Sequence, residues 1–243
     1  MNPNSFQNSF QKIRESYLKI QQQIESCCRQ SHRDPSSVQL LAVSKTHSPE
    51  QIKFVLSLGQ MDFGENYVQE SVEKQKILSS FPITWHFIGK LQRNKVKDVV
   101  GRFEIIHSVD SIELATKISQ KARELNIHQK ILFEVNLAQE KSKSGFLKSE
   151  LDQNFESLVS LPHLHFSGLM IMPPLVENAE LVRPFFKEAK NFFDQLKNRG
   201  SSERQKDWKI LSMGTTQDYW VAIEEGATLI RIGTAIFGER DRQ

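Results

Sequence analysis

QLLAVSK at residues 39–45 is an apolar run that stops at a serine and a lysine. Consecutive apolar positions mark a strand buried on both faces, as in a parallel sheet covered by helices. The same shape recurs seven times, as DFGEN (62–66), ITWHFIG (83–89), EIIHSV (104–109), KILFEVNL (130–137), LHFSGLMIM (164–172), KILSM (209–213) and LIRIG (229–233). The starts lie 20 to 45 residues apart, room for one strand, one helix and their loops. Eight such units in 243 residues predict a single α/β domain, a (β/α)8 TIM barrel. A doubly wound open sheet is the alternative.

Upstream of the first run, Phe6, Phe10, Ile13, Tyr17, Ile20 and Ile24 recur at spacings of three and four. They form one stripe of an amphipathic helix over residues 6–28. Residues 1–35 are therefore read as an N-terminal helix packing on the barrel and 36–243 as the barrel itself, one structural domain overall. Phe185, Phe186, Phe192 and Phe193 fall at helical spacing and are read as core against the barrel.

Composition narrows the function. Charged residues make up 25% and hydrophobic residues 38%, the profile of a globular protein. Lys and Arg exceed Asp and Glu by only 32 to 29, too little for a dedicated nucleic-acid binder. Cys27 and Cys28 are adjacent, too close for an ordinary disulfide. The seven histidines show no metal-binding spacing. No signal-peptide core and no run near ~20 apolar residues occurs, so a cytoplasmic location without membrane contact is expected; a monomer is expected as well.

In a TIM barrel the active site lies where the strands end at the C-terminal face. The runs end there in Ser44-Lys45-Thr46, Glu65-Asn66, His86-x-x-Gly89, Asn136, Met170, Ser212-Met213-Gly214 and Arg231-x-Gly233, a ring of polar groups around one mouth. Lys45 is the sharpest signal among them. Desolvation and nearby cations such as Arg231 lower an amine pKa and free the lone pair that attacks a carbonyl. SMGTTQD and RIGTAIFG, after the seventh and eighth runs, offer backbone N–H groups and the hydroxyls of Thr215, Thr216 and Thr234 to an anion. A lysine able to form a Schiff base beside a phosphate cup describes a pyridoxal 5'-phosphate site.

LLAVSKT, FGENYVQE, WHFIGKLQRNK, KSG, GLMIMPP and RIGTAIFG, in this order and spacing, resemble the YggS/PROSC-like pyridoxal phosphate homeostasis protein family. The resemblance runs from about residue 10 to residue 239. It implies the barrel half of alanine racemase, a fold-type III pyridoxal phosphate protein, that holds its cofactor on a lysine and controls its supply without established turnover. Position by position it implies Lys45 as the cofactor lysine, Asn66 and His86 in the cofactor mouth, and Thr216 as a phosphate ligand. Arg231, Gly233 and Thr234 match the segment facing the pyridine nitrogen and the phosphate; Met170, Ser212 and Thr215 complete the candidate cofactor-binding set. Implied partners are the cofactor and apo-enzymes that use it.

One stretch departs from the family pattern. Gly214-Thr215-Thr216-Gln217-Asp218-Tyr219-Trp220 stands where Gly-Met-Ser-x-Asp-Met is common, so two aromatics are added. Tyr219 is the one residue suspected of acting as a second base. Other residues have plainer readings. His163 and His165 are a solvated strand start, and Lys90, Arg93, Lys95 and Lys97 a solvated helix face. Lys141, Lys143 and Gly145 form a loop to which no role is given. Three functions follow: a cofactor carrier, a pyridoxal phosphate enzyme such as a racemase, and a cofactor-free Schiff-base aldolase acting on a phosphorylated sugar.

Overall fold

The computed structural model describes residues 3–140, 142–199 and 206–239, with side chains of the first helix described from Asn8 onward. The elements alternate from the first strand to the last. Helix α1 (Pro3–Gln30) precedes β1 (Gln39–Val43), α2 (Pro49–Ser57), β2 (Asp62–Glu65), α3 (Val68–Ile77), β3 (Thr84–Phe87), α4 (Val96–Val99), β4 (Ile105–Val109) and α5 (Ile112–Glu124). Then come β5 (Gln129–Val135), α6 (Lys148–Val159), β6 (Leu164–Ile171), α7 (Arg183–Arg199), β7 (Ile210–Ser212), α8 (Tyr219–Glu224), β8 (Leu229–Ile232) and α9 (Thr234–Phe237). The eight strands form one closed barrel in sequence order, and β1 pairs in parallel with β8 to seal it. The open-sheet alternative is thereby excluded.

Local chemistry explains several boundaries. Ser48 caps α2 through a capping box with Gln51, and Pro49 occupies the first turn, where its missing N–H costs nothing. Ser111 caps α5 by accepting from the Leu114 N–H. All five residues of β4 are buried, as a strand between helices and barrel interior requires.

The strands end one to two residues before most of the apolar runs do. Thr46 follows β1 with a φ of 66°, which breaks the extended conformation, so Lys45 stands on a loop just past the strand. The segment after β3 also differs from the expected helix. Arg93–Lys95 forms a 3-10 turn and only Val96–Val99 is α-helical, because few apolar residues there can anchor a longer face.

Helix α1 buries Ile13, Tyr17, Ile20, Ile24 and Cys28 against α2, α8 and α9. Full burial of each large side chain contributes ~1.5–3 kcal/mol, which explains why a helix outside the barrel stays attached. Phe10 packs on Phe54 of α2 with ring centroids 4.8 Å apart. The Phe6 side chain lies outside the described residues. Phe186, Phe192 and Phe193 of α7 are buried and Phe185 is half-buried. No helix among the described residues is long and apolar enough to cross a membrane.

Candidate functional site

A cavity of about 420 Å³ opens at the C-terminal mouth of the barrel. Lys45, Lys90, Arg231 and Glu134 are its lysine, arginine and carboxylate lining groups, so cations outnumber carboxylates three to one. Such a surplus favours an anionic ligand.

The backbone around Lys45 is pinned on both sides. Ser44 Oγ donates to Glu65 Oε1 at 2.6 Å, while the buried Lys74 ammonium donates to the Ser44 carbonyl at 2.7 Å and to Glu65 Oε1 at 2.8 Å. Lys74 also pairs with Glu70 at 2.5 Å, and Glu70 Oε1 accepts the Thr46 N–H at 2.5 Å. The two carboxylates and one ammonium therefore hold the residues before and after Lys45. Burial raises the Glu65 pKa, and Lys74 is the largest influence opposing it.

Arg231 forms the floor. Its Nη1 donates to Ser212 Oγ at 2.7 Å and its Nη2 to the Ile171 carbonyl at 2.9 Å, with Met172 Sδ also at 2.9 Å. Burial lowers its pKa to about 10 against the opposing pull of Asp218 and Glu134, so the guanidinium stays charged at neutral pH. Glu134 on β5 is pushed up to about 7, first by burial and then by Asp110, with Arg231 and Lys90 acting in the other direction.

Two loops complete the wall. Thr215 spends both its N–H and its hydroxyl on Asp218 Oδ1, at 2.6 and 3.0 Å. Thr216 Oγ1 instead accepts the Ala235 N–H at 3.4 Å, bridging the loop after β7 to α9. A Cβ on Gly233 would lie 3.2 Å from the Val43 carbonyl, so the glycine lets this backbone close on β1 beside the cavity. Asn66 Oδ1 is buried without a hydrogen-bond partner. Its own backbone is seated by Gly89, where a Cβ would fall 2.0 Å from the Asn66 carbonyl oxygen.

Of the residues singled out from sequence, Lys45, Asn66, Met170, Thr215, Thr216, Arg231, Gly233 and Thr234 line this one cavity. His86 and Ser212 do not. His86 lies inside the barrel against His107 and Asp62, and Ser212 sits beneath Arg231. Asn136 turns its amide to the Glu140 carbonyl at 2.8 Å and shapes its own loop. Tyr219 is buried with its hydroxyl donating to Gln23 Oε1 of α1 at 2.9 Å, away from the mouth, and its pKa is raised to about 12 by burial. Trp220 packs edge-on against it.

Lys90, expected on a solvated helix face, stands on a loop at the cavity rim. Lys143 donates to Glu140 and to the Pro173 carbonyl, tying two mouth loops together; Lys141 lies outside the described residues. The sequence pattern singles out neither Glu134 nor Lys74. A lone carboxylate inside the run ILFEV was the available signal for the first. Among the described residues no group of three His, Cys, Asp or Glu could hold a metal ion.

The profile of the family described as alanine racemase, N-terminal domain, matches residues 19–241. A pyridoxal phosphate homeostasis protein of Aquifex aeolicus is 40% identical over 230 residues, 93% of this chain and 97% of that protein. The chain belongs to the pyridoxal phosphate homeostasis protein family. Two solved structures extend the likeness. PipY of Synechococcus elongatus, determined with PLP bound, is 37% identical with a TM-score of 0.78 over 88% of this chain and 99% of its own. An unknown protein from Bifidobacterium adolescentis is 30% identical with a TM-score of 0.88 over 98% and 97%. In this family member the barrel mouth, the one end of the fold that gathers Lys45 with the two threonine loops, is the candidate site.

Glu134 gives the ligand-free protein a testable pH response. Its folded pKa of about 7 exceeds the ordinary 4.5, so between those values the folded state binds more protons than the unfolded state. Stability should fall as pH rises through that window, by on the order of 3 kcal/mol once complete. Urea unfolding at several pH values should show this fall in the wild type and a flatter profile in Glu134→Gln. Parallel profiles would refute the assignment.

Proposed function

We propose that this cavity binds pyridoxal 5'-phosphate through Lys45, and that the protein serves intracellular homeostasis of that cofactor by holding it and yielding it to apo-enzymes, without amino-acid turnover. The observation that carries the proposal is the gathering of Lys45, Arg231 and the Thr216 and Gly233 loops around one cationic cavity in a family member whose relative PipY was solved with PLP bound. The residues fit the group on three counts. A cavity of this size is of the usual scale for a small ligand. Asn66 brings a buried acceptor with no protein partner, and a Cβ at Gly233 would crowd Val43 where the backbone closes beside the cavity.

When bound, pyridoxal phosphate supplies an aldehyde for condensation with an amine and a ring that withdraws electrons. Lys45 is the amine, its backbone fixed through Ser44 and Thr46. Thr216 Oγ and the N–H groups near Thr216 and Gly233 would hold the phosphate, Thr216 with a charge-assisted bond. Arg231 would face the ring nitrogen as a donor only, since guanidinium does not release its proton at neutral pH. Thr215 is the weakest contributor because Asp218 occupies its hydroxyl.

A second reading, an amino-acid-processing enzyme, has one observation in its favour: Glu134 lines the cavity with a pKa near neutrality, the range suited to general acid–base work. Against it stands the orientation of Tyr219, which is committed to Gln23 and cannot serve the other face of a substrate held on Lys45.

Borohydride reduction of loaded protein followed by peptide mapping should place the pyridoxyl group on Lys45, and Lys45→Ala should lose the visible absorption band. Modification of another lysine, with the band kept in the variant, would defeat the assignment. Gly233→Val should weaken pyridoxal phosphate far more than pyridoxal; equal losses would remove the phosphate role. Holo-protein incubated with L-alanine in deuterated water should yield no accumulating deuterated D-alanine. Multiple turnovers, abolished by Glu134→Gln, would establish the enzyme instead.

A further inference from the structure

Beneath the cavity the barrel interior holds a row of polar side chains that continues to the opposite face. Arg231 Nη1 donates to Ser212 Oγ at 2.7 Å, and Ser212 Oγ lies 3.2 Å from His107 Nδ1. His107 Nε2 lies 2.9 Å from His86 Nδ1, and His86 Nε2 lies 3.2 Å from Asp62 Oδ1. Ser212, His107 and His86 are buried. Asp62, the first residue of β2, lines a second cavity of about 330 Å³ beside Tyr17 and Gln21 of α1. Five strands thus contribute to one path that starts at the mouth and ends at the far rim.

Donor and acceptor rules give the path a direction. His86 and Gln39 hydrogen bonds outweigh burial and keep the Asp62 pKa below its ordinary value, so this carboxylate only accepts and His86 Nε2 carries a proton. In the tautomer that keeps its proton on Nε2, His86 accepts at Nδ1, and His107 Nε2 donates to it. Burial, then the proximity of His86 and Arg231, hold the His107 pKa well below its ordinary value, so its ring is neutral and Nδ1 accepts. Ser212 therefore donates its hydroxyl proton to His107 and turns a lone pair to Arg231. Every donor from Arg231 to Asp62 points the same way.

Barrel interiors are ordinarily filled by Val, Ile and Leu, and buried polar networks are often replaceable by apolar residues without loss of stability. A complete polar path through this core is better explained by what it holds. We propose that Ser212, His107, His86 and Asp62 are positioning residues, a one-directional hydrogen-bond chain that sets the Arg231 guanidinium at the floor of the ligand cavity from the far side of the barrel. The binding arm of the test rests on the cavity being a pyridoxal phosphate site; the imidazole arm does not.

Long-range proton–nitrogen correlation spectra of the ligand-free protein at neutral pH should place the ring proton of both His86 and His107 on Nε2. A proton on His107 Nδ1 overturns the chain. In the binding arm, His107→Leu removes donor and acceptor together. Pyridoxal phosphate affinity should fall about tenfold or more, the scale of a lost hydrogen bond to a charged group, and the bound absorption band should shift. His107→Gln keeps one donor and one acceptor on a planar head and should restore most of both. Asp62→Leu, at the far end and outside the cavity, should act in the same direction and serves if His107→Leu does not fold. Wild-type affinity and band in a folded Leu variant overturn the proposal. If the wild type takes up no pyridoxal phosphate, the cofactor reading fails and the imidazole spectra alone decide the chain.

Discussion

A guanidinium enclosed by a parallel barrel must be hydrogen-bonded on its several N–H groups or it costs several kcal/mol, and Arg231 sets that demand here. The answer comes from three neighbouring strands and the loop beyond one of them. Ser212 of β7 and the Ile171 carbonyl of β6 accept from it, Met172 supplies a sulfur, and Glu134 of β5 acts on it through charge. The placement of the groups that accept from its guanidinium follows from satisfying this one charge. So does the cavity's character, since its floor is a fixed cation rather than a layer of aliphatic side chains.

Lys45 meets the opposite design problem. A reactive amine needs a fixed base, and the structure supplies one by spending buried ionic contacts on the main chain beside Lys45. Lys74 and its two carboxylates are bound to the residues flanking Lys45. Breaking such a buried cluster by removing one partner leaves an uncompensated charge, which costs ~3–5 kcal/mol. A single ionic knot therefore serves stability and geometry at once.

The barrel was legible because strands buried on both faces advertise themselves as apolar runs, and the mouth because polar residues cluster just after those runs. Depth was not legible. When both faces are buried, alternation does not separate residues pointing into the barrel from those pointing at helices, and height inside it depends on strand tilt and stagger, which arise from pairing. From the sequence His86 therefore reads as a mouth residue, and nothing in the fully buried strand Ile105–Val109 singles out His107. Lys74 was hidden for a different reason: α3 reads as polar almost throughout, so nothing marked one lysine as buried.

Closure of the barrel joins β1 to β8, and the Tyr219–Gln23 hydrogen bond joins residues 196 positions apart. The cavity draws Lys45 from the first strand's end and Arg231 and Gly233 from the last strand's. During synthesis, then, no partial chain that stops short of β8 possesses the binding site. Contacts of such long range fold late, after the entropy of closing large loops has been overcome. A ligand that grips both ends of this circuit acts as a clasp, favouring the closed barrel by mass action over any form in which the seam has opened.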